Sequence, residues 1–216
     1  MNLNTGQQCV RDFFLCLHEN VENWPDLYER FCLTTVNSTM CLACKHKNES
    51  EQSQIYLEME VPPDGSDMGE YVEEMINDSC IVQYHCQDGC QAQFQAEKRF
   101  MLKSVNKSEF LIVLLRRSIM TENHVEIVEN SIKSTNNLLL RDYAGVQATY
   151  EATAVIQHQG TTTRDGDGQG HYICDVKWKD SDYVGWFRTN DNLCPVPIKT
   201  TEVTKNAVVV LYKRIN

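Results

Sequence analysis

Two pairs of cysteines, Cys41-Leu-Ala-Cys44 and Cys86-Gln-Asp-Gly-Cys90, constrain this chain more than any other feature. Each pair is compact enough to occupy one tight turn, and four thiolates hold Zn²⁺ tetrahedrally. A long stretch separates the pairs, so the expected arrangement is a clip between two distant hairpins and not a compact zinc finger. About one zinc per chain is expected. Cys80 and His85 are spare ligands nearby. The alternative is four free cysteines in exposed hairpins. A redox-active pair is disfavoured, because Cys41 does not stand at the strand-to-helix junction of a βαβ unit.

Ten cysteines in 216 residues are too few for a small disulfide scaffold, so the pairs read as ligands in a reducing compartment. A chain of this length buries roughly 70% of its unfolded surface and folds without staples. Its 30 acidic and 20 basic side chains leave a formal net charge of -10. That balance runs against nucleic-acid binding, which needs clustered Lys and Arg, and against a polybasic membrane anchor. No run reaches the ~20 apolar residues of a spanning helix. Arg11 and Asp12 stand where a signal peptide would place its apolar core. The expected location is intracellular, with cytoplasm and nucleus not distinguished.

Val10, Phe13, Phe14, Leu17 and Val21 recur at helical spacing, and Pro25 closes that helix. A second short helix is expected from Asp26 to Phe31. Ile55, Leu57, Met59 and Val61 alternate with polar residues, as in a half-buried strand. Met68 to Ile76 reads as a short acidic helix. Extended patterns follow at Ala92–Val105, Phe110–Leu115, Ala148–His158, His171–Trp178, Val184–Arg188 and Val208–Tyr212. The stretch from Thr121 to Leu138 is polar and reads as loop-rich, and a glycine-rich loop runs from Thr161 to Gly170. The pattern predicts an α+β fold, with short helices first and a largely antiparallel sheet after them.

His158 ends one expected strand as His-x-Gly, and Gly170-His171-Tyr172 opens the next. Asn190 and Asp191 follow the strand after that. A histidine at one strand start and an Asn/Asp pair at the end of its neighbour can face each other as a general base and its orienting group. The bland reading of any single histidine is a surface or satisfied core residue. The loop between them begins like a calcium loop at Asp165-Gly-Asp167-Gly, but its twelfth position is Val176, where a bidentate Glu is needed. Its glycines do not spell a dinucleotide-binding GxGxxG.

Together these motifs resemble the ubiquitin-specific proteases, a family of papain-like deubiquitinating cysteine peptidases. Tyr150, Ala154, Val155, His158 and Gly160, then Gly170-His171-Tyr172, then Trp186, Asn190 and Asp191, resemble that family's C-terminal box. The cysteine pairs resemble its zinc-bearing fingers. Leu111 to Arg117 resembles a strand that usually continues into an aromatic residue, where this chain has Ser118. Gly6-Gln7-Gln8-Cys9 through Phe13-Phe14 resembles an early helix of the family. The final strand, Val208 to Arg214, resembles the family's closing strand.

The resemblance implies a papain-like ubiquitin-specific protease fold, with a mostly antiparallel palm sheet, zinc-ribbon-like fingers and a largely missing helical thumb. The implied divisions are remnant thumb helices at 1–35, fingers at 36–105 and palm at 106–216. By the same resemblance His171 is the general base, Asn190 accepts the imidazole N–H, and Asp191 shares or assists that role. Gly170 lets a substrate tail pass close to the backbone, and His158 lines its channel. Cys41, Cys44, Cys86 and Cys90 hold structural zinc. The family's nucleophilic cysteine belongs to an Asn-x-Gly-Asn-Thr-Cys box ahead of the first helix here, and that box is absent. Asn4-Thr5-Gly6-Gln7-Gln8-Cys9 reads as a degenerate version, against the alternative that Cys9 replaces an Asp of the helix.

Three functions remain open: a deubiquitinating peptidase domain whose nucleophile comes from an upstream segment, a partner chain or Cys9; a pseudoenzyme that binds ubiquitin or a ubiquitinated protein; and a truncated product. Loss of thumb contacts is expected to leave an apolar face exposed at Phe13, Phe14 and Leu17.

Overall fold

The computed structural model describes residues 10–21, 23–105, 107–120, 125–133, 137–160, 170–179, 184–199, 203–204 and 206–216. In chain order the elements are α1 (Val10–Val21), α2 (Pro25–Phe31), β1 (Leu33–Cys41), β2 (Lys47–Gln54), β3 (Leu57–Glu60), β4 (Ser66–Asp67), α3 (Met68–Asn77), β5 (Ser79–His85), β6 (Gln93–Leu102), β7 (Phe110–Arg116), β8 (Ser118–Met120) and β9 (Val125–Ile127). They continue with β10 (Ile132–Lys133), β11 (Asn137–Arg141), β12 (Gln147–Gly160), β13 (Gly170–Lys179), β14 (Val184–Thr189), β15 (Val196–Ile198), β16 (Val203–Thr204) and β17 (Ala207–Arg214). Pro25 opens α2, where its missing N–H leaves no helical bond unmade. Asp67 caps α3, its Oδ1 accepting from the backbone N–H of Gly69 at 2.8 Å and of Glu70 at 3.1 Å.

The large sheet runs β15-β14-β13-β12-β17-β7-β3, with β11 added on β12. Its pairings are antiparallel except β3 on β7. β7 is covered on both faces, which explains its unbroken run Phe110-Leu-Ile-Val-Leu-Leu115. Leu111, Val113 and Leu115 pack with Leu57, Met59, Tyr150, Val210 and Tyr212, and with Met68, Val72 and Ile76 of α3. Ile112 and Leu114 face the other way, with Val209, Ile55 and Tyr56, against Phe14 and Val21 of α1. Arg117 is buried just beyond β7 and donates to the carbonyls of Ala207, Val128 and Asn130, tying that strand end to the start of β17.

The expected apolar exposure on α1 is corrected by this packing. Phe14 is 7% exposed and Leu17 is half-buried, because α1 lies on the sheet; Phe13 alone of the three stays open, at 60%. An ion pair pins α1 in place, with Arg11 Nε donating to Glu58 Oε1 of β3 at 2.6 Å.

A second sheet, β2-β1-β6-β5, is antiparallel throughout. Sequence periodicity misses β1 and β2 because β2, Lys47-Asn-Glu-Ser-Glu-Gln-Ser-Gln54, is polar and almost wholly exposed. Its backbone ladder to β1, and not burial, makes it a strand. Likewise, the polar 121–138 stretch contributes β9 and β10 among its described residues, too short to leave a period in the sequence.

Tyr150 anchors β12 from within the core. Its hydroxyl donates to Val105 O at 3.0 Å and meets Ser108 Oγ at 3.1 Å, with the side chain fully buried. Tyr150→Phe strands those partners and is expected to lower stability by about 1–2 kcal/mol. Urea unfolding reads this as a shifted midpoint at unchanged slope; an unshifted midpoint contradicts it.

Candidate functional site

β13 and β14 are adjacent antiparallel strands, with Cys174 opposite Thr189. His171 lies near the start of β13, and Asn190 immediately follows β14. The ladder therefore brings together two residues nineteen apart, and His171 Nε2 meets Asn190 Oδ1 at 2.5 Å. Asp191 Oδ2 lies 3.8 Å from the same nitrogen, on an open side chain. Asp191 has φ of +46°, and Leu193 N donates to Asn190 O at 3.0 Å, so a tight turn fixes the pair. A carbonyl oxygen only accepts, so in the neutral ring Nε2 carries the imidazole proton and Nδ1 is left with a lone pair. This is the arrangement of an imidazole ready to take a proton at Nδ1.

Gly170 opposes Gly160 at the strand ends, beside His171. His158 opposes Tyr172, with the two rings 4.9 Å apart. Strand alternation puts these two on the face covered by α1, and Tyr172 Oη accepts from the backbone N–H of Val10 at 3.3 Å. His171, opposite Gln159, is on the other face. The structure therefore joins His171 with Asn190 and Asp191 and sets His158 apart. Burial also pushes the His158 imidazole below its usual pKa. Burial, with Asp175 next in chain, pushes the Cys174 thiol up, against a thiolate there. Cys9 lies outside the described residues, as does loop 161–169.

The cysteine cluster follows from the second sheet. β1 and β5 both run antiparallel to β6, so their C-terminal ends arrive at the same edge, where Cys41 opposes Ala96 and His85 opposes Gln93. The turns after them carry the two cysteine pairs. Each turn places the residue after its second cysteine in the left-handed region, Lys45 at φ +61° and Gln91 at φ +53°. All four sulfurs lie within 4.8 Å of one another. Cys41 Sγ is 3.8 Å from Cys90 Sγ, and Cys44 Sγ is 3.6 Å from Cys86 Sγ.

Those separations exceed the ~2.05 Å of a disulfide. They match the spacing of about 3.8 Å for four sulfurs at about 2.3 Å from a tetrahedral zinc. The four cysteines can therefore hold a metal ion. Cys41 and Cys86 are buried while Cys44 and Cys90 are exposed. A hydrogen bond from the His46 backbone lowers the Cys44 thiol to about 6, whereas loss of water pushes Cys86 up, and Cys90 to about 11.

Gly89 completes the cradle. A Cβ there would lie 2.6 Å from Cys44 Sγ and 2.7 Å from Cys86 Sγ. Gly89→Ala is expected to displace two ligands and reduce bound metal well below the wild-type level, measured by elemental analysis. Full metal content in the variant contradicts the geometry. The signal was present in the sequence as a glycine between two cysteines, but only the folded turn shows what it must avoid.

Sequence reading also missed Asp175, a fully buried carboxylate on the His171 face of β13, paired with Arg188 of β14. An aspartate among strand residues gives no hint of its partner until the register is known.

Comparison with known proteins agrees with this architecture. The Arabidopsis thaliana protein named ubiquitin carboxyl-terminal hydrolase 17 is 27% identical over 188 residues, covering 81% of this chain and 24% of that protein. A chain in the SAGA Ubp8/Sgf11/Sus1/Sgf73 DUB module bound to ubiquitin aldehyde superposes with a TM-score of 0.76 at 17% identity, over 97% of this chain and 50% of its own. A further structure of the Ubp8-Sgf11-Sgf73-Sus1 SAGA DUB module gives 0.76 at 16% identity, over 98% and 50%. These superpositions establish the fold expected from the C-terminal box, with its sheet and its cysteine-bearing hairpins. The chain spans about a quarter of the curated relative and about half of the solved chains. Residues 7–212 match the profile of the ubiquitin carboxyl-terminal hydrolase family. The chain belongs to that family, as its resemblance to the ubiquitin-specific proteases implied.

Proposed function

We propose that this domain supplies the base and the substrate platform of a thiol-dependent ubiquitinyl hydrolase. The observation that carries this is the 2.5 Å contact between His171 Nε2 and Asn190 Oδ1, which leaves Nδ1 free to accept a thiol proton. In this reading His171 deprotonates the nucleophile and later protonates the leaving amine. Asn190 fixes the tautomer, and Asp191 assists as the imidazolium forms. Gly170 leaves room for an extended ubiquitin tail along the sheet end, and His158 supports the wall of that channel through Tyr172. Residues 1–35 act as remnant thumb, 36–105 as fingers and 106–216 as palm.

Cys41, Cys44, Cys86 and Cys90 hold a structural zinc, which keeps the finger hairpins together. A zinc site closed by four thiolates has no open position for substrate. Ubiquitin or a ubiquitinated protein is the partner.

The described contacts of His171 run to Asn190 and Asp191, and no described cysteine sulfur is among them. Because residues 1–216 lack the Asn-x-Gly-Asn-Thr-Cys box, by themselves they are expected to bind without hydrolysis, with the nucleophile supplied by a further segment or a partner chain. Cys9 is the less favoured source. With only part of the cleft present, ubiquitin affinity is expected to be weaker than micromolar by calorimetry. A sub-micromolar isotherm contradicts this reading.

A further inference from the structure

Asp175 has no exposed surface, although it lies in the sheet that carries His171. The two neighbouring strands satisfy it. Arg188 of β14 donates from Nε to Oδ1 at 2.8 Å and from Nη2 to Oδ2 at 2.9 Å. Gln157 of β12 donates from Nε2 to Oδ2 at 2.6 Å. Asp175 and Arg188 are directly opposed in the ladder.

Only the carboxylate is buried, since the Arg188 side chain is 39% exposed, and an ion pair that must desolvate one partner adds little net stability. What a two-pronged Arg–carboxylate pair does add is direction, because both bonds form only in one alignment. That alignment lies two residues before Asn190. The β13–β14 ladder ends at Cys174 opposite Thr189, where Thr189 Oγ1 donates to Cys174 O at 3.0 Å. Beyond that point Asn190 has left the ladder, and its placement depends on where Arg188 and Thr189 leave the chain. Alternation puts Asp175 and His171 on one face of β13, with Arg188 opposite Asp175 on β14, and Asn190 Oδ1 reaches His171 Nε2 just past the strand end.

We propose that Asp175 and Arg188, completed by Gln157, form a positioning pair that sets Asn190 Oδ1 against His171 Nε2. Its effect is on the imidazole tautomer: with the pair aligned, the proton stays on Nε2 and the lone pair on Nδ1. This rests on the reading of His171 as the base. In this role the pair acts through Asn190 and needs no contact of its own with the substrate.

The test is long-range proton–nitrogen NMR on the ¹⁵N-labelled chain, with the His171 signals assigned by their loss in His171→Ala. Wild type is expected to show His171 as the Nε2–H form. Arg188→Lys keeps the charge but loses the planar fork. It is expected to lower the ratio of Nε2–H to Nδ1–H forms by about fivefold or more, the scale of one lost hydrogen bond. Asp175→Asn shifts the ratio in the same direction, and if it does not fold, Arg188→Lys decides alone.

Glu151→Gln is the control for general loosening of the sheet. It breaks the 2.6 Å Lys177–Glu151 pair elsewhere in the same sheet and should leave the ratio unchanged. An unaltered ratio in folded Arg188→Lys, or an equal shift in Glu151→Gln, overturns the proposal. The readout needs neither ubiquitin nor a nucleophile, so failure of the hydrolase reading would appear in the ubiquitin experiments and not here.

Discussion

Removing zinc is expected to unfold the tip of the second sheet while the large sheet survives. Each ligand pair sits in a hairpin whose surroundings supply little burial: β2 is polar and exposed, and β5 is largely exposed. The apolar clusters belong to the large sheet and its helices, with Leu33, Phe100 and Leu102 joining them from the root of the second sheet. The tip therefore lacks a core of its own, and in the proposed zinc site four metal–sulfur bonds would take its place. Structural zinc binding is worth on the order of 10 kcal/mol in small zinc domains, and most of that is folding free energy. Losing even a few kcal/mol of it lowers the thermal midpoint by about 10 °C, at about 2–4 °C per kcal/mol. Cys86→Ser should reproduce the effect, since Cys86 is a buried member of the four-cysteine cluster. Hydrogen exchange should show lost protection in β1, β5 and β6 near residues 41 and 86, with β7, β12 and β17 unchanged. Native protein that contains no zinc, or a midpoint unmoved by chelation, contradicts the proposed metal.

The second large effect concerns Asn190. In a form of the protein that carries the nucleophile, Asn190→Ala is expected to lower kcat by about 10²–10⁴-fold with little change in KM. The imidazole then populates both tautomers, and the wrong one presents N–H where a lone pair is needed. His171→Ala removes the base itself and should be at least as damaging. Asp191→Ala should be milder, because its carboxylate is exposed and 3.8 Å from the ring. Steady-state hydrolysis of a ubiquitin C-terminal amide reads all three. Equal activity in wild type and Asn190→Ala would remove the tautomer argument.

Much of this was legible in residues whose surroundings are repetitive. The unbroken apolar run of β7, the helical stripe of α1 and the strands flanking His158 and His171 all follow from periods that burial imposes. His171 and Asn190 were legible because each stands at the end of such a strand. The cysteine pairs were legible because metal chemistry fixes local spacing. β2 was not, because a strand held by its ladder leaves no apolar period. The burial of Phe14 was not, because it depends on Ile112 and Leu114 presenting a second apolar face far along the chain. The Asp175–Arg188 pair and the crowding at Gly89 were hidden for the same reason: they exist only once strand register is set.

The domain is proposed to hold a prepared base and a platform for ubiquitin, with the nucleophile supplied from elsewhere. The most direct test is to incubate residues 1–216 with ubiquitin bearing a C-terminal electrophile and map any adduct by mass spectrometry. The expected result is no adduct that depends on His171. An adduct at Cys9 that disappears in His171→Ala would contradict the account and make residues 1–216 a rearranged enzyme.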